Sequence, residues 1–290
     1  MAAHAATDDR IRSQSEHSVL YPLEGASMFR SIITEIDDSV GILTLNRADR
    51  HNVLDRTLAA EMIDGLRALD GERGVRVIVL SSAGKSFCAG IDPAWVRETI
   101  QASPEKNLED NRDLARLLAT LAGTSKPTIA RVQGPASGIG VGLIAACDIA
   151  LATYDASFIL NEARYGLLPA VAGPYLLAAM GERYCRYYML TAERFSGVDA
   201  YRIGLVHEMV PDEAQLDEAI GETIETLLKN SGDAMSACKT LLRFLGGRPI
   251  DQATMEETAQ SATTAQSGAN GRQGMLALVE KRKPEWGAGQ

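Results

Sequence analysis

The sequence predicts an α/β fold with a largely parallel sheet, on three observations. Short apolar runs of strand length alternate with longer stretches whose apolar residues recur at helical spacing. A glycine-rich turn, Gly134-Pro135-Ala136-Ser137-Gly138-Ile139-Gly140-Val141-Gly142, separates two apolar runs near the middle of the chain. After residue 210 the strand-like runs stop and only helical periodicity continues.

Residues 1–27 mix Ala, Ser, Asp, Arg and His without periodicity, and are expected to form a flexible extension outside the fold. Residues 41–45, Gly-Ile-Leu-Thr-Leu, read as the first strand. Leu54, Leu58, Met62, Ile63, Leu66 and Leu69 then mark one face of a helix. The run at 75–81 reads as a strand buried on both sides. Leu114, Leu117, Leu118 and Leu121 give another helix, stopped by Gly123 and Pro127. Strands are expected at 128–132 and 148–152, on either side of the glycine turn, and a short one at 205–210. Parallel strands need a long crossover, usually a helix, so this alternation implies a parallel sheet. Leu216, Ile220, Ile224, Leu227 and Leu228 open an all-helical region. The expected organisation is therefore an extension over 1–27, a core over 28–210 and a helical region over 211–290. No internal repeat of fixed period is present.

Composition narrows the function classes. The chain has 290 residues, 46% of them hydrophobic, which is enough for a substantial core. Its formal net charge of −9 argues against nucleic-acid binding, which relies on clustered Lys and Arg. An anionic ligand would need a local basic cluster. Four cysteines, Cys88, Cys147, Cys185 and Cys238, are too widely spaced for a zinc knuckle or a redox pair, and read as reduced thiols of a cytoplasmic protein. No run reaches the ~18 apolar residues of a membrane span. The few histidines, His4, His17, His51 and His207, show no metal-ligand spacing, so no metal is expected.

The glycine turn is the chemical centre of the reading. Gly138, Gly140 and Gly142 keep it free of bulky side chains, so a ligand can approach backbone N–H groups at the positive end of a helix. Such a site stabilises negative charge on oxygen. A second segment, Gly84-Lys85-Ser86-Phe87-Cys88-Ala89-Gly90-Ile91-Asp92, follows another strand candidate. Donors from two strand ends can thus converge on one oxyanion. Three other readings fail on spacing. A P-loop needs glycine where Val79 stands, a dinucleotide fingerprint needs it at Leu143, and a nucleophile elbow around Ser137 needs it at Pro135 and Ile139.

Glu162 is the remaining acid or base. It follows the apolar Phe158-Ile159-Leu160, where a partly desolvated carboxyl has a raised pKa. On its own it reads as readily as a turn cap or a partner of Arg164.

Several motifs occur in the order of one family: Leu45-Asn46-Arg47, His51-Asn52-Val53-Leu54, Ser86-Phe87-Cys88-Ala89-Gly90-Ile91-Asp92, Gly134 through Asp148, and Phe158-Ile159-Leu160-Asn161-Glu162 with Gly166-Leu167-Leu168-Pro169. Across roughly residues 28 to 286 the chain resembles the crotonase (enoyl-CoA hydratase/isomerase) superfamily. The resemblance implies a ββα superhelical core with a C-terminal helical region that builds a homotrimer or a dimer of trimers. It implies an acyl-CoA substrate, with coenzyme A as part of that substrate and no separate cofactor. It makes Glu162 the catalytic acid/base and the N–H groups of Ile91 and Ile139 the oxyanion donors. It places Arg50, Ala89, Gly90 and Asp92 along the coenzyme A path, with Gly138 and Gly142 in the turn, and Lys281 near a phosphate.

Two departures from the family pattern bear on the reaction. Many hydratases of the superfamily carry a second glutamate where this chain has Gly142, which leaves an empty space opposite Glu162. Ile139 stands where glycine is common. The resemblance implies enoyl-CoA hydration, on a branched or carboxylated acyl group such as methylglutaconyl-CoA. A Δ3,Δ2-enoyl-CoA isomerase, with one carboxylate, and a non-catalytic acyl-CoA-binding protein are the alternatives.

Overall fold

A computed structural model describes residues 29–286; the extension expected over 1–27 lies outside the described residues. The chain opens with β1 (Ile32–Asp37) and β2 (Val40–Leu45), then α1 (Arg56–Gly71), β3 (Val77–Ser82), α2 (Pro93–Gln101) and α3 (Pro104–Gly123). Next come β4 (Thr128–Val132), β5 (Ala136–Ser137), α4 (Ile139–Ala146), β6 (Ile149–Thr153) and β7 (Ser157–Ile159). They are followed by α5 (Gly173–Thr191), β8 (Arg194–Ser196), α6 (Gly197–Arg202) and β9 (Glu208–Val210). The last four elements are α7 (Glu213–Leu228), α8 (Gly232–Leu245), α9 (Gln252–Ser267) and α10 (Ala269–Val279).

The larger sheet has the order β1-β2-β3-β4-β6-β9, and every pairing after the β1–β2 hairpin is parallel. Successive side chains point to opposite faces. Ile78, Leu80, Ala130, Val132, Ala150 and Ala152 face a core closed by helices that include α1, α3, α4 and α5, while Val77, Val79, Ile129 and Leu151 face Leu216, Ala219 and Ile220 of α7. Helices on both faces explain why residues 77–80, Val-Ile-Val-Leu, read as an unbroken apolar run. The smaller sheet, β5-β7-β8, carries the glycine turn, and Phe158 stacks on Phe195 at 5.4 Å beneath it.

Helix starts follow capping chemistry. Asp55 accepts from Leu58 N at 2.8 Å to open α1, and Asp92 accepts from Ala94 N at 2.8 Å ahead of Pro93 in α2. Three expectations need correction. β1 was not expected, because Thr34, Glu35 and Asp37 dilute the apolar signal of this edge strand. α2 was not expected either; Trp95 is its one buried residue, too little for a periodic pattern. The strand expected at 205–210 shrinks to Glu208–Val210, because the N–H groups of Leu205 and Val206 turn back to Ala200 O.

α8 is fastened to the sheet by a buried lysine. Lys239 Nζ meets Asp148 Oδ2 at 2.5 Å, Lys126 O at 2.8 Å and Thr124 Oγ1 at 3.2 Å. Asp148 also accepts from Thr128 N and Oγ1 at 2.7 and 2.9 Å. Lys239→Met is expected to cost about 1–3 kcal/mol, since it strips a partly exposed carboxylate, one carbonyl and the buried Thr124 hydroxyl of their donor. Urea unfolding of the variant beside the parent measures it.

Candidate active site

The site is assembled where β3 and β4 end. Neighbouring parallel strands finish at the same edge, so the segments that follow Ser82 and Val132 run side by side. They are laced together: Phe87 N donates to Pro135 O at 3.0 Å, Ser137 N to Cys88 O at 2.9 Å and Gly138 N to Ile159 O at 2.9 Å. Gly140 is required by this closeness, because a Cβ there would lie 2.4 Å from Cys88 O.

Two backbone donors are left over. Leu54 N donates to Gly90 O and Asp92 N to Leu54 O, both at 2.8 Å, which uses the peptide groups around Ile91 and leaves its own N–H without a partner among the described residues. Ile139 is the first residue of α4, and its N–H also donates to nothing within the described chain. The strand-turn-helix expected from the glycine run is present, with unsatisfied donors at the helix start.

Glu162 begins a short 3-10 turn, Glu162–Tyr165, just after β7. Gly138 has φ +52°, and a Cβ on it would sit 2.9 Å from Glu162 Oε1, so glycine is needed there for both conformation and space. The carboxyl therefore lies over the residue that precedes Ile139. Its Oε2 is buried and has no hydrogen-bond partner among the described residues. Burial pushes the carboxyl above its ordinary pKa, against the smaller effect of a hydrogen bond to its own backbone. Among the described residues no ion pair joins Glu162 to Arg164. Cys88, although close by, is no nucleophile, since burial holds its thiol up at about 11.

The remaining expected residues fall into two groups. Ala89 is exposed, with Gly90 buried beside it at φ +99°, close to Ser137 O. Asp92 is 1% exposed and its side chain is engaged with Arg50 at 2.8 Å, Arg47 at 3.5 Å and the start of α2. It holds the half-exposed Arg50 in place from behind. Lys281 is exposed after α10, and among the described residues no ion pair engages it. The space expected opposite Glu162 at Gly142 is not empty: a Cβ there would meet Ala172 Cβ at 2.7 Å and Leu118 Cδ1 at 3.6 Å. Helix packing, rather than a vacated catalytic position, fills that place.

Sequence reasoning assigned no role to Asn52 and Gln133, two buried amides around the Ile91 segment. A polar residue closing an apolar strand, as in Val132-Gln133-Gly134, was the available signal. Among the described residues a concavity of about 1350 Å³ between the end of α7 and α8 to α10 is bordered by Pro127, Asp148 and Ile149. It thus opens at the N-terminal ends of β4 and β6. The free donors and Glu162 lie past the C-terminal ends, where open α/β sheets bind ligands.

Two N–H groups unpaired among the described residues, at parallel strand ends and beside one half-buried carboxyl, are an arrangement able to hold a developing oxyanion while a proton moves, as an enzyme site requires. Comparison with known proteins gives the family. The family model described as enoyl-CoA hydratase/isomerase matches residues 35–289, and the chain belongs to that family, within the crotonase superfamily. It is 38% identical to an enoyl-CoA hydratase from Shewanella pealeana of known crystal structure, with a TM-score of 0.86, over 89% of this chain and 97% of the other. It is 34% identical to a hydroxycinnamoyl-CoA hydratase-lyase of Pseudomonas fluorescens, over 73% of this chain and 77% of that protein. The 2,3-dehydroadipyl-CoA hydratase of Escherichia coli is 28% identical, over 88% of this chain and 98% of its own length.

Proposed function

We propose that this protein adds water across the double bond of an α,β-unsaturated acyl-CoA with Glu162 as its one acid/base. The observation that carries the reading is the buried, unpartnered Oε2 of Glu162 beside two unused N–H groups. Ionised Glu162 takes a proton from water as the water oxygen bonds to the β-carbon. The π electrons move to the thioester oxygen, and the enolate is held by Ile91 N–H and Ile139 N–H. Glu162 then returns the proton to the α-carbon, and the thioester carbonyl re-forms. Arg50 and Lys281 supply charge for the coenzyme A phosphates, with Ala89, Gly90 and Gly138 giving close backbone passage. Subunits assemble as a trimer or dimer of trimers through the helical region, in the cytoplasm.

A branched or carboxylated acyl group is the proposed substrate class, because the site lacks a second carboxylate that would repel a substrate anion. A double-bond isomerase is the second reading, favoured by Gly142 packing under Ala172, which leaves one carboxyl to move a proton between carbons. Assays with crotonyl-CoA, 3-methylglutaconyl-CoA and a 3-enoyl-CoA, scoring hydration and bond migration separately, decide between them. Hydration is expected to exceed migration; migration alone selects the isomerase.

Substrate charge has its own test. Gly142→Glu combined with Ala172→Gly makes room for a second carboxylate. The pair is expected to harm 3-methylglutaconyl-CoA turnover more than crotonyl-CoA turnover, because like charges then meet in a partly desolvated site. Equal losses on the two substrates remove the carboxylated class.

A further inference from the structure

We infer that Asn52 and Gln133 are positioning residues that set where the Ile91 N–H points, by holding the carbonyls of the segment between β3 and Ile91 on two buried amides; this rests on the enolate-binding role proposed above. The segment after β3 has left the sheet ladder, yet its carbonyls turn inward. Asn52 Nδ2 donates to Ala83 O at 2.8 Å and Ser86 O at 2.9 Å. Gln133 Nε2 donates to Ser82 O and Gly84 O, both at 2.9 Å. Four of the five carbonyls from Ser82 to Ser86 are thus satisfied by two side chains, both almost wholly buried.

Each amide is itself fixed. Asn52 Oδ1 accepts from Arg47 N at 2.9 Å, and the Ser82 hydroxyl lies 2.9 and 3.1 Å from the two ends of the Gln133 amide. Asn52 and the preceding His51 both have φ +53°, a conformation that asparagine tolerates better than most residues. His51 O accepts from Ala89 N at 3.0 Å, and His51 Nδ1 pairs with Ser86 Oγ at 3.0 Å. Gln133 directly follows β4 and precedes the turn that leads to Ile139. It therefore ties the segment bearing one donor to the segment bearing the other. The spacing of the two N–H groups depends on that tie, because no side chain of the site can adjust a backbone donor.

The test compares two four-carbon thioesters on the full-length protein: acetoacetyl-CoA, whose enolate absorbs in the near ultraviolet, and butyryl-CoA, which forms no stable enolate. The wild type is expected to prefer acetoacetyl-CoA by ~10-fold or more and to show the enolate band. In Gln133→Met, which keeps volume and loses the donors, that preference and the band are expected to fall by about 10-fold. Butyryl-CoA affinity and KM should stay within about 3-fold, while kcat falls with the preference. Asn52→Asp keeps the acceptor for Arg47 N, loses both donors, and provides the second variant if Gln133→Met does not fold. A folded variant that retains the wild-type preference and band overturns the inference. Equal weakening of both ligands overturns it too, as general damage. A wild type without preference overturns the enolate reading itself.

Discussion

Glu162→Gln is expected to lower turnover by about 10²- to 10⁴-fold, with affinity for a saturated acyl-CoA nearly unchanged. The amide has the shape of the carboxyl and keeps its place over Gly138, but it cannot accept and return a proton. Steady-state kinetics with calorimetric binding of butyryl-CoA measures both halves, and near-normal turnover in a folded variant removes Glu162 from the mechanism. The same substitution has a pH signature. Burial raises the folded-state carboxyl above its ordinary 4.5, so between that value and the raised one the native state binds more protons than the unfolded state. Its contribution to stability is therefore complete below 4.5 and is lost as pH rises through the raised value. Glu162→Gln should abolish that decline and unfold later than the parent at neutral pH. Wild-type turnover, which needs the ionised base, rises through the same window.

Gly140→Ala should be nearly as damaging, although it adds only one methyl group and removes no polar atom. That methyl would lie 2.4 Å from Cys88 O, so one of the two donor segments must move. Displacements near 1 Å in a positioned site cost on the order of 10²-fold in rate, and overpacking costs about 1–3 kcal/mol in stability. Gly221→Ala is the matched control. It sits in α7 with nothing within 4 Å, and is expected to gain about 0.5–1 kcal/mol by the better helix propensity of alanine. Unfolding curves and kcat for the pair give the comparison, and equal behaviour of the two variants refutes the steric assignment.

The order of elements was legible because the buried parallel strands and amphipathic α1 follow simple periods. β3, β4 and β6 sit within two residues of their expected bounds. The exposed edge strand β1 and the sparsely buried α2 lack such periods, and their local pattern does not separate them from loop. The site was legible in part for a related reason. Glycines mark places where backbone must come close, as Gly138 does beneath Glu162, so the turn and the carboxyl could be read from the chain. Packing from distant segments could not. Ala172, 30 positions from Gly142, decides whether a side chain fits there, and Gln133 reaches back to Ser82 and Gly84. The burial of Asp92 and its pairing with Arg50, 42 positions away, are likewise set by packing between segments.

The placement of α7 bears on how the protein is made. Val77, Val79, Ile129 and Leu151 are covered by residues first synthesised at positions 216–220. During translation the β2, β3, β4 and β6 strands can pair long before their second face has a cover, leaving an apolar sheet surface open to other chains. A ribosome that stalls between residues 165 and 210 would release a fragment holding Glu162 and the Ile91 and Ile139 N–H groups, yet prone to aggregate. A protected form of the candidate site is thus available to the cell only after α7, on the far face of the sheet, has emerged.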